Sequence, residues 1–599
     1  MSSASLEDVT WNLEHLVGDE GPEGVDRLLD EAATMTDAFA AQHAGKVDGL
    51  DGAGLAAAMD ALSEIHDRAG RAGNYAALRF SADTSDPANG ALLQKAEERG
   101  TTIETQLLFF ELEWAAVEDT RADELLGTDG LENYRHFLAQ VRIYRPHLLS
   151  EPEEKILTEK NITGRSAWSR LFSELMSAVE VDLPDQPEPV QMEVATSQLM
   201  RPEREARAAA ADAITQALEP GLRTRAFIFN TLLHDKAVDD RLRKYPSWIS
   251  SRNLSNEASD ESVEALVKAV QDNNDIPQRW YRVKAGLLGI DRLADYDRMA
   301  PVTTTDEEFE WDEACSLVLD AYESFSPELG DLVRQFFDER WIDAPVRPGK
   351  RGGAFCAYTV PSAHPYVLLN YTSRRRDVLT LAHELGHGVH AALARPRGPF
   401  EMGTPLTLAE TASVFGETIV FGQLLDRAPS AESRLGLLAE SLEGSIATVF
   451  RQVAMNRFEH SVHTARREQG ELAVEQINDL WIANQSDLVG DSVELTDNYR
   501  SWWSYVPHFI GTPGYVYAYA YGQLLALSVY ARYLEEGEPF VPRYLDMLRS
   551  GGSKSPEALG ELVGIDLADP GFWDNGLQLV RRQLEDAEAA AAKAQPAPS

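Results

Sequence analysis

The sequence predicts a predominantly α-helical protein, and three observations carry that prediction. Apolar residues recur at helical spacing through most of the 599 residues. Strand-like alternation is confined to a few short runs, two of which fall together before residue 372. Hydrophobic residues make up 44% and charged residues 25%, the balance of an ordinary globular chain.

In chain order, helical periodicity runs over 24–42, 53–80, 88–118 and 130–145. A Pro-rich stretch, 184–202, follows. In it Pro184, Pro187 and Pro189 precede a strand-like run, Val190-Gln191-Met192-Glu193-Val194. Pro interrupts helices and central strands alike. The stretch is therefore the expected boundary between an N-terminal helical region (1–200) and a larger C-terminal region (201–585). Beyond it, helices are expected at 203–217, 260–272 and 312–336. Strand-like runs follow at 354–360, opened by Gly352-Gly353, and at 366–371. Further helices are expected at 376–394, 407–426, 432–468, 473–486, 515–535 and 573–593, with no repeat at a fixed period. After Glu585 an Ala-rich helix runs into Gln-Pro-Ala-Pro-Ser, so 586–599 are expected to fray.

Charge and composition narrow the function classes. The net charge of −42 is spread along the chain, and such a surface repels nucleic acid and anionic membranes. Solubility with a genome-composition bias accounts for it, as does a salt-adapted host. No stretch approaches 18 uninterrupted apolar residues, so no membrane helix is expected. The opening MSSASLEDVTWNLEHL carries neither a basic n-region nor an apolar h-region. Two cysteines, Cys315 and Cys356, are too few for a disulfide framework or a four-Cys zinc site. A reducing, cytoplasmic location is expected.

The chemistry centres on His383-Glu384-Leu385-Gly386-His387 within the helix at 376–394. Residues four apart share a helix face with β-carbons about 5–6 Å apart, close enough for both imidazoles to hold one Zn²⁺. Glu384 points from the neighbouring angle, where a water to be activated would sit. With 13 His in the chain, this pattern should arise by chance in only about 2% of chains of this composition. A catalytic zinc needs three protein ligands. A metzincin would continue to a third His, but Leu393 stands at that position and His390 at the preceding Gly position, which excludes the class. A downstream carboxylate remains, with Glu401, Glu410 and Glu417 as candidates. Glu401 lies among Pro399, Gly403 and Pro405 in an apparent loop, whereas Glu410 opens an apolar-periodic helix that can aim a carboxylate reproducibly. Glu410 is therefore taken as the ligand. Glu417, two turns on along the same face, is expected to hydrogen-bond a ligand His. Zinc would lower the pKa of a water toward about 7, Glu384 would take its proton, and a second oxyanion donor is needed opposite. The segment from Trp502 to Tyr519 can supply it, through His508 and the Tyr ladder in which Tyr515 and Tyr519 share a helix face.

Several segments together resemble the oligoendopeptidase F branch of the thimet-oligopeptidase family of zinc metallopeptidases: DVLTLAHELGHGVH (377–390), AETASVFGE (409–417) and PHFIGTPGYVYAYA (507–520). PYVLLNY (365–371), WNL (11–13) and DTSD (83–86) fit the same pattern, so the resemblance spans nearly the full length. It implies one zinc per chain on His383, His387 and Glu410, Glu384 as general base, and His508 and Tyr519 acting in the transition state. The spacing of that Tyr differs by about a residue between branches, which keeps Tyr515 in play. It also implies two helical lobes around a deep channel, with a small β-sheet near the zinc, admitting short unfolded oligopeptides. The strand at 354–360 would pair its edge with an extended peptide. Gly514 departs from the aromatic that related chains often carry before the Tyr ladder. Two other readings use the same residues. One is a non-catalytic peptide-binding protein. The other is a carboxypeptidase or dipeptidyl carboxypeptidase, which needs a basic group for the substrate carboxylate; Arg347, Lys350, Arg351 and Arg374–Arg376 are available. His390 reads as a helix-packing residue or one that supports a ligand from behind, His460 and His463 as surface or core, Trp502 and Trp503 as core, and Cys356 as a small buried hydrophobe; His364, beside Pro365, can approach the cleft through the strand region, though nothing in the sequence requires it. The sequence fixes no oligomeric state.

Overall fold

The computed structural model describes residues 6–303, 307–567, 569 and 571–594. Helices dominate, as the periodicity predicts, and the sheets are small. Among the described residues no helix is long and apolar enough to cross a membrane. The chain forms two compact units, each assembled from three stretches.

The first unit comprises Met1–Arg145, Asp306–Asp426 and Val529–Leu567. Its N-terminal part is a layer of three long helices, Pro22–His43, Gly52–Ala82 and Pro87–Ala116. Asp51 and Asp86 start the second and third by accepting the N–H groups of Gly54 and Ala88, and Pro87 occupies a first-turn position that lacks an N–H requirement. Their apolar faces share one core with Val360, Ala363, Tyr366 and Leu368. Those residues belong to, or border, a three-stranded sheet in the order Ile342–Pro345, Tyr366–Tyr371, Phe355–Ala357. The central strand reads as an almost unbroken apolar run because both faces are covered. It pairs in parallel with Ile342–Pro345 and antiparallel with Phe355–Ala357, setting Cys356 opposite Val367. Phe355–Ala357 is therefore an edge strand.

The second unit comprises Pro146–Thr305, Arg427–Ser528 and Ala568–Ser599. Its core packs Phe229 and Leu233 of helix Leu222–Leu242 against Phe458 of Arg451–Gln469, Trp481 and Phe509. Trp502 and Trp503 belong to this core, where their indole N–H groups donate to Thr215 and Asn478.

Several elements differ from the sequence reading, each for a local reason. The helix expected over 312–336 breaks at Ser326-Pro327, where Ser326 caps a new helix, Pro327–Asp338. The run at 190–194 keeps only Val190–Gln191 as strand and continues as helix Met192–Ser197, because Met192 and Ala195 bury one helical face. The run at 354–360 pairs only through Ala357, since Thr359 at φ 61° turns the chain out of the extended region. The helix expected over 432–468 contains a π-helical turn at Ile446–Phe450. Helix Leu222–Leu242 escapes the periodicity because it buries Arg225 and Asn230 while exposing Phe227. Beyond 585, the helix Phe572–Ala594 continues, and 595–599 lie outside the described residues.

Candidate active site

The helix that carries the motif, Arg375–Ala394, begins where Asp377 accepts the N–H groups of Thr372 and Arg374, at 2.7 and 3.1 Å. It buries Val378, Leu381, Leu385 and Val389. That burial leaves His383 and His387 on the opposite side, facing helix Leu406–Arg427. The two helices nearly touch. A Cβ built on Gly386 would stand 2.4 Å from the Ala412 carbonyl oxygen and 2.5 Å from the Ser413 Cα, so only glycine permits this crossing.

The crossing brings Glu410 between the two imidazoles. Its Oε2 lies 3.3 Å from His383 Nε2 and 3.6 Å from His387 Nε2. One donor atom from each of the three falls within 4.8 Å of the others. Behind them, His383 Nδ1 donates to Glu417 at 3.2 Å, which fixes the ring and leaves Nε2 as the nitrogen offered to a cation. Ser413 Oγ donates to Glu410 Oε2 at 2.7 Å and fixes that carboxylate in turn. Two imidazoles and one carboxylate, oriented from behind and open on one side, are a donor set that suits zinc.

Glu384, 8% exposed, shares a cavity of about 540 Å³ with these ligands. The edge strand lines it through Phe355 and Cys356, and Ala354 and Tyr358 line it on either side of the strand. Burial pushes the Glu384 carboxyl up to about 7; the neighbouring Glu410 adds to this and the charge on His383 opposes it. Burial lowers the pKa of His383, but its hydrogen bonds and attraction to Glu410 and Glu417 outweigh that and raise it to about 10. Burial dominates at His387 and lowers it to about 4. Burial also works against the Glu410 carboxylate, but the two histidines and Ser413 hold it down at about 2. Glu410 thus keeps its charge, and His383 carries a proton between two carboxylates.

The remaining candidates separate cleanly. Glu401 is fully buried and accepts the N–H groups of His136 and Phe137, at 3.1 and 3.2 Å, at the start of helix Arg135–Ile143. Its carboxylate is spent as a helix cap. His390 is buried beside Tyr358, and burial lowers its pKa to about 3. His364 stacks on Trp341 at 4.2 Å. Arg347 and Lys350, two of the basic groups available to a carboxypeptidase reading, are both engaged by Asp343, at 2.7 and 2.6 Å. Arg351 lies over the Phe355 ring. Ser413 and Tyr358 escaped the sequence reading. Their signals were a hydroxyl three residues after Glu410, and the two-residue spacing that sets Tyr358 on the same side as Cys356.

In the second unit, His508 and the Tyr ladder form their own cluster. Tyr519 OH lies 3.3 Å from His508 Nε2. The Tyr515 ring stacks on His508 at 6.0 Å and meets Tyr519 edge-on at 5.0 Å. Tyr517 points away, buried, with its OH accepting from Asn256. Burial, helped by the charge on Arg451, lowers the pKa of His508 and keeps its imidazole neutral near pH 7.

Comparison with known proteins adds an independent line. The description of peptidase family M3 matches residues 197–579, and that of oligopeptidase F matches residues 113–180. Oligopeptidase PepF of Bacillus subtilis (strain 168) is 27% identical over 541 residues, covering 89% of this chain and 80% of that protein. A solved structure from Chlamydophila abortus aligns with a TM-score of 0.88 at 23% identity, covering 98% of this chain and 99% of the other. Oligoendopeptidase-F from Enterococcus faecium aligns with a TM-score of 0.71 at 22% identity, covering 95% and 99%. At these identities the structural likeness speaks to the fold alone, a predominantly helical one.

Proposed function

The chain belongs to peptidase family M3 and is a metallopeptidase of the oligopeptidase F type, and from that premise we propose that it is a zinc endopeptidase cleaving internal bonds of short, unfolded oligopeptides. The observation that carries the reading is the meeting of His383, His387 and Glu410 on one cavity with a carboxyl, Glu384, poised near neutrality.

In this mechanism His383, His387 and Glu410 hold the metal. Zinc supplies a Lewis acid that eases ionisation of a water and polarises the scissile carbonyl. Glu384 takes the proton of the attacking water and passes it to the leaving amine. Glu417 and Ser413 hold His383 and Glu410 in register. The edge strand Phe355–Ala357 offers backbone pairing to an extended peptide. His508 and Tyr519 are proposed to donate to the developing oxyanion, supported by the hydrogen bond they share and by the matching motif. Tyr515, stacked on His508, is proposed to hold that imidazole. The engagement of Arg347 and Lys350 by Asp343 occupies two of the basic groups that trimming from the carboxyl end could use, and the blocked-end peptide below tests the rest.

An internally quenched peptide, with free and with blocked ends, tests this reading. Both forms should be cleaved with Zn²⁺, neither with a chelator, and Glu384→Gln should lower kcat by about 10²–10⁴-fold while zinc stays bound. Cleavage that survives E384Q or chelation defeats the mechanism. Trimming of the free peptide alone defeats the endopeptidase assignment.

A further inference from the structure

One buried carboxyl of the second unit has no part in the chemistry above. Glu459, 1% exposed on helix Arg451–Gln469, accepts the N–H of Gly514 at 2.8 Å. Its other oxygen, Oε2, has no hydrogen-bond partner among the described residues. Burying a carboxyl for a single backbone N–H costs more stability than the bond returns. Fold stability therefore does not account for this residue.

Its location does. Gly514 sits in the connection between His508 and the Tyr ladder, in a turn closed by Tyr515 N–H donating to the Thr512 carbonyl at 3.1 Å. Gly514 has φ 74°, a conformation other residues rarely adopt, and its backbone lies against Ile249 and Arg252. The surface beneath it is itself pinned to the Glu459 helix. Trp248 donates to His460 at 3.2 Å and stacks on His463 at 4.5 Å. A second tether of similar kind runs from Asn256 to the Tyr517 hydroxyl at 3.0 Å. Burial of Phe509, Ile510 and Val516 anchors the segment on either side, and at the tip of the turn Glu459 accepts the N–H of Gly514 itself.

We infer that Glu459 is a positioning residue for peptide hydrolysis: by holding Gly514 N–H it fixes the turn that aligns His508 with Tyr519. The inference rests on the proposed role of those two side chains. Burial, partly offset by the Gly514 N–H and by Arg252, the charged group facing it, pushes the Glu459 carboxyl up to about 8. A neutral carboxyl is still an acceptor, and so is an amide oxygen.

The test compares kcat and KM for E459A, E459Q, H508A and Y519F, and for the double variant E459A/Y519F, with zinc content measured on each. E459A should lower kcat and kcat/KM together by about 10–100-fold with KM little changed. Zinc content should remain at the wild-type value. E459Q, which keeps an acceptor, should restore most of the lost kcat. In the Y519F background E459A should cost less than about twofold, because the group it aligns has gone. Should E459A fail to fold, E459D withdraws the acceptor by one methylene and takes its place. A wild-type kcat for E459A alongside impaired H508A and Y519F overturns the inference and leaves the mechanism standing. So does a full, additive loss in the double variant, which marks a merely structural role. Full activity of both H508A and Y519F overturns the proposed role of those two side chains, and the inference with it.

Discussion

His383, His387 and Glu410 stand on two long helices whose backbones almost meet at Gly386, whereas His508 and Tyr519 flank a short turn held by single hydrogen bonds. In the first region burial of two apolar faces supplies the rigidity, and the polar groups only trim ligand orientation. In the second, apolar burial holds the flanks of the turn, and side-chain hydrogen bonds, one of them to the Gly514 N–H, hold its tip. A metal site tolerates little variation in ligand spacing and is built on elements that cannot flex separately. A group that meets only a transition state can sit on a turn, provided something fixes that turn.

Removing a ligand gives the largest effect. Glu410→Ala takes away the oxygen shared by both histidines, so zinc content should fall well below one per chain. The value of kcat/KM should fall by about 10³-fold or more. Retained zinc with lost activity would show that the two histidines suffice for binding, and that the helix crossing matters less than supposed. Gly386→Ala probes the crossing directly. Its Cβ meets backbone rather than a movable side chain, so the helices must part, at about 1–3 kcal/mol of stability. A lower melting temperature should come with weaker zinc retention against a chelator. If the protein melts lower but holds zinc as tightly, the close approach serves packing alone.

How much of this the sequence discloses follows the same division. The His383/His387 pair is legible because helical periodicity alone sets residues four apart on one face. Glu410 is legible because an apolar-periodic helix starts beside it. The cap formed by Glu401 is not, since its partners His136 and Phe137 lie more than 260 residues away in sequence. Nor does the pattern along the chain announce that each unit gathers three separate stretches. In the second region, Tyr515 does meet Tyr519, but from the turn ahead of helix Tyr517–Glu536 and not from the shared helix face that the spacing suggests. Nor can spacing say that Tyr519 bonds His508 while Tyr515 stacks on it. The Glu459–Gly514 bond leaves no trace in periodicity, because a buried Glu on an amphipathic helix reads as one more exposed polar residue.

The smallest effect concerns stability and separates the two regions by pH. Glu459 has a folded pKa of about 8 against an ordinary carboxyl value near 4.5, raised mainly by burial. Between those two values the folded protein holds a proton that the unfolded chain has lost. Wild-type stability should therefore decline through this window, by at most about 1.4 kcal/mol per pH unit, and level off above pH 8. Glu459→Gln keeps the acceptor and removes the titration. The melting temperature of E459Q relative to wild type should rise from pH 5.5 to pH 8 and stay constant above, with zinc content unchanged at each pH. A difference that is flat across this range would mean that Glu459 ionises in the ordinary way, paired with Arg252. The tip of the turn would then be held by an ion pair, and the contrast between a helix pair locked by packing and a turn fixed by a neutral acceptor would lose its basis.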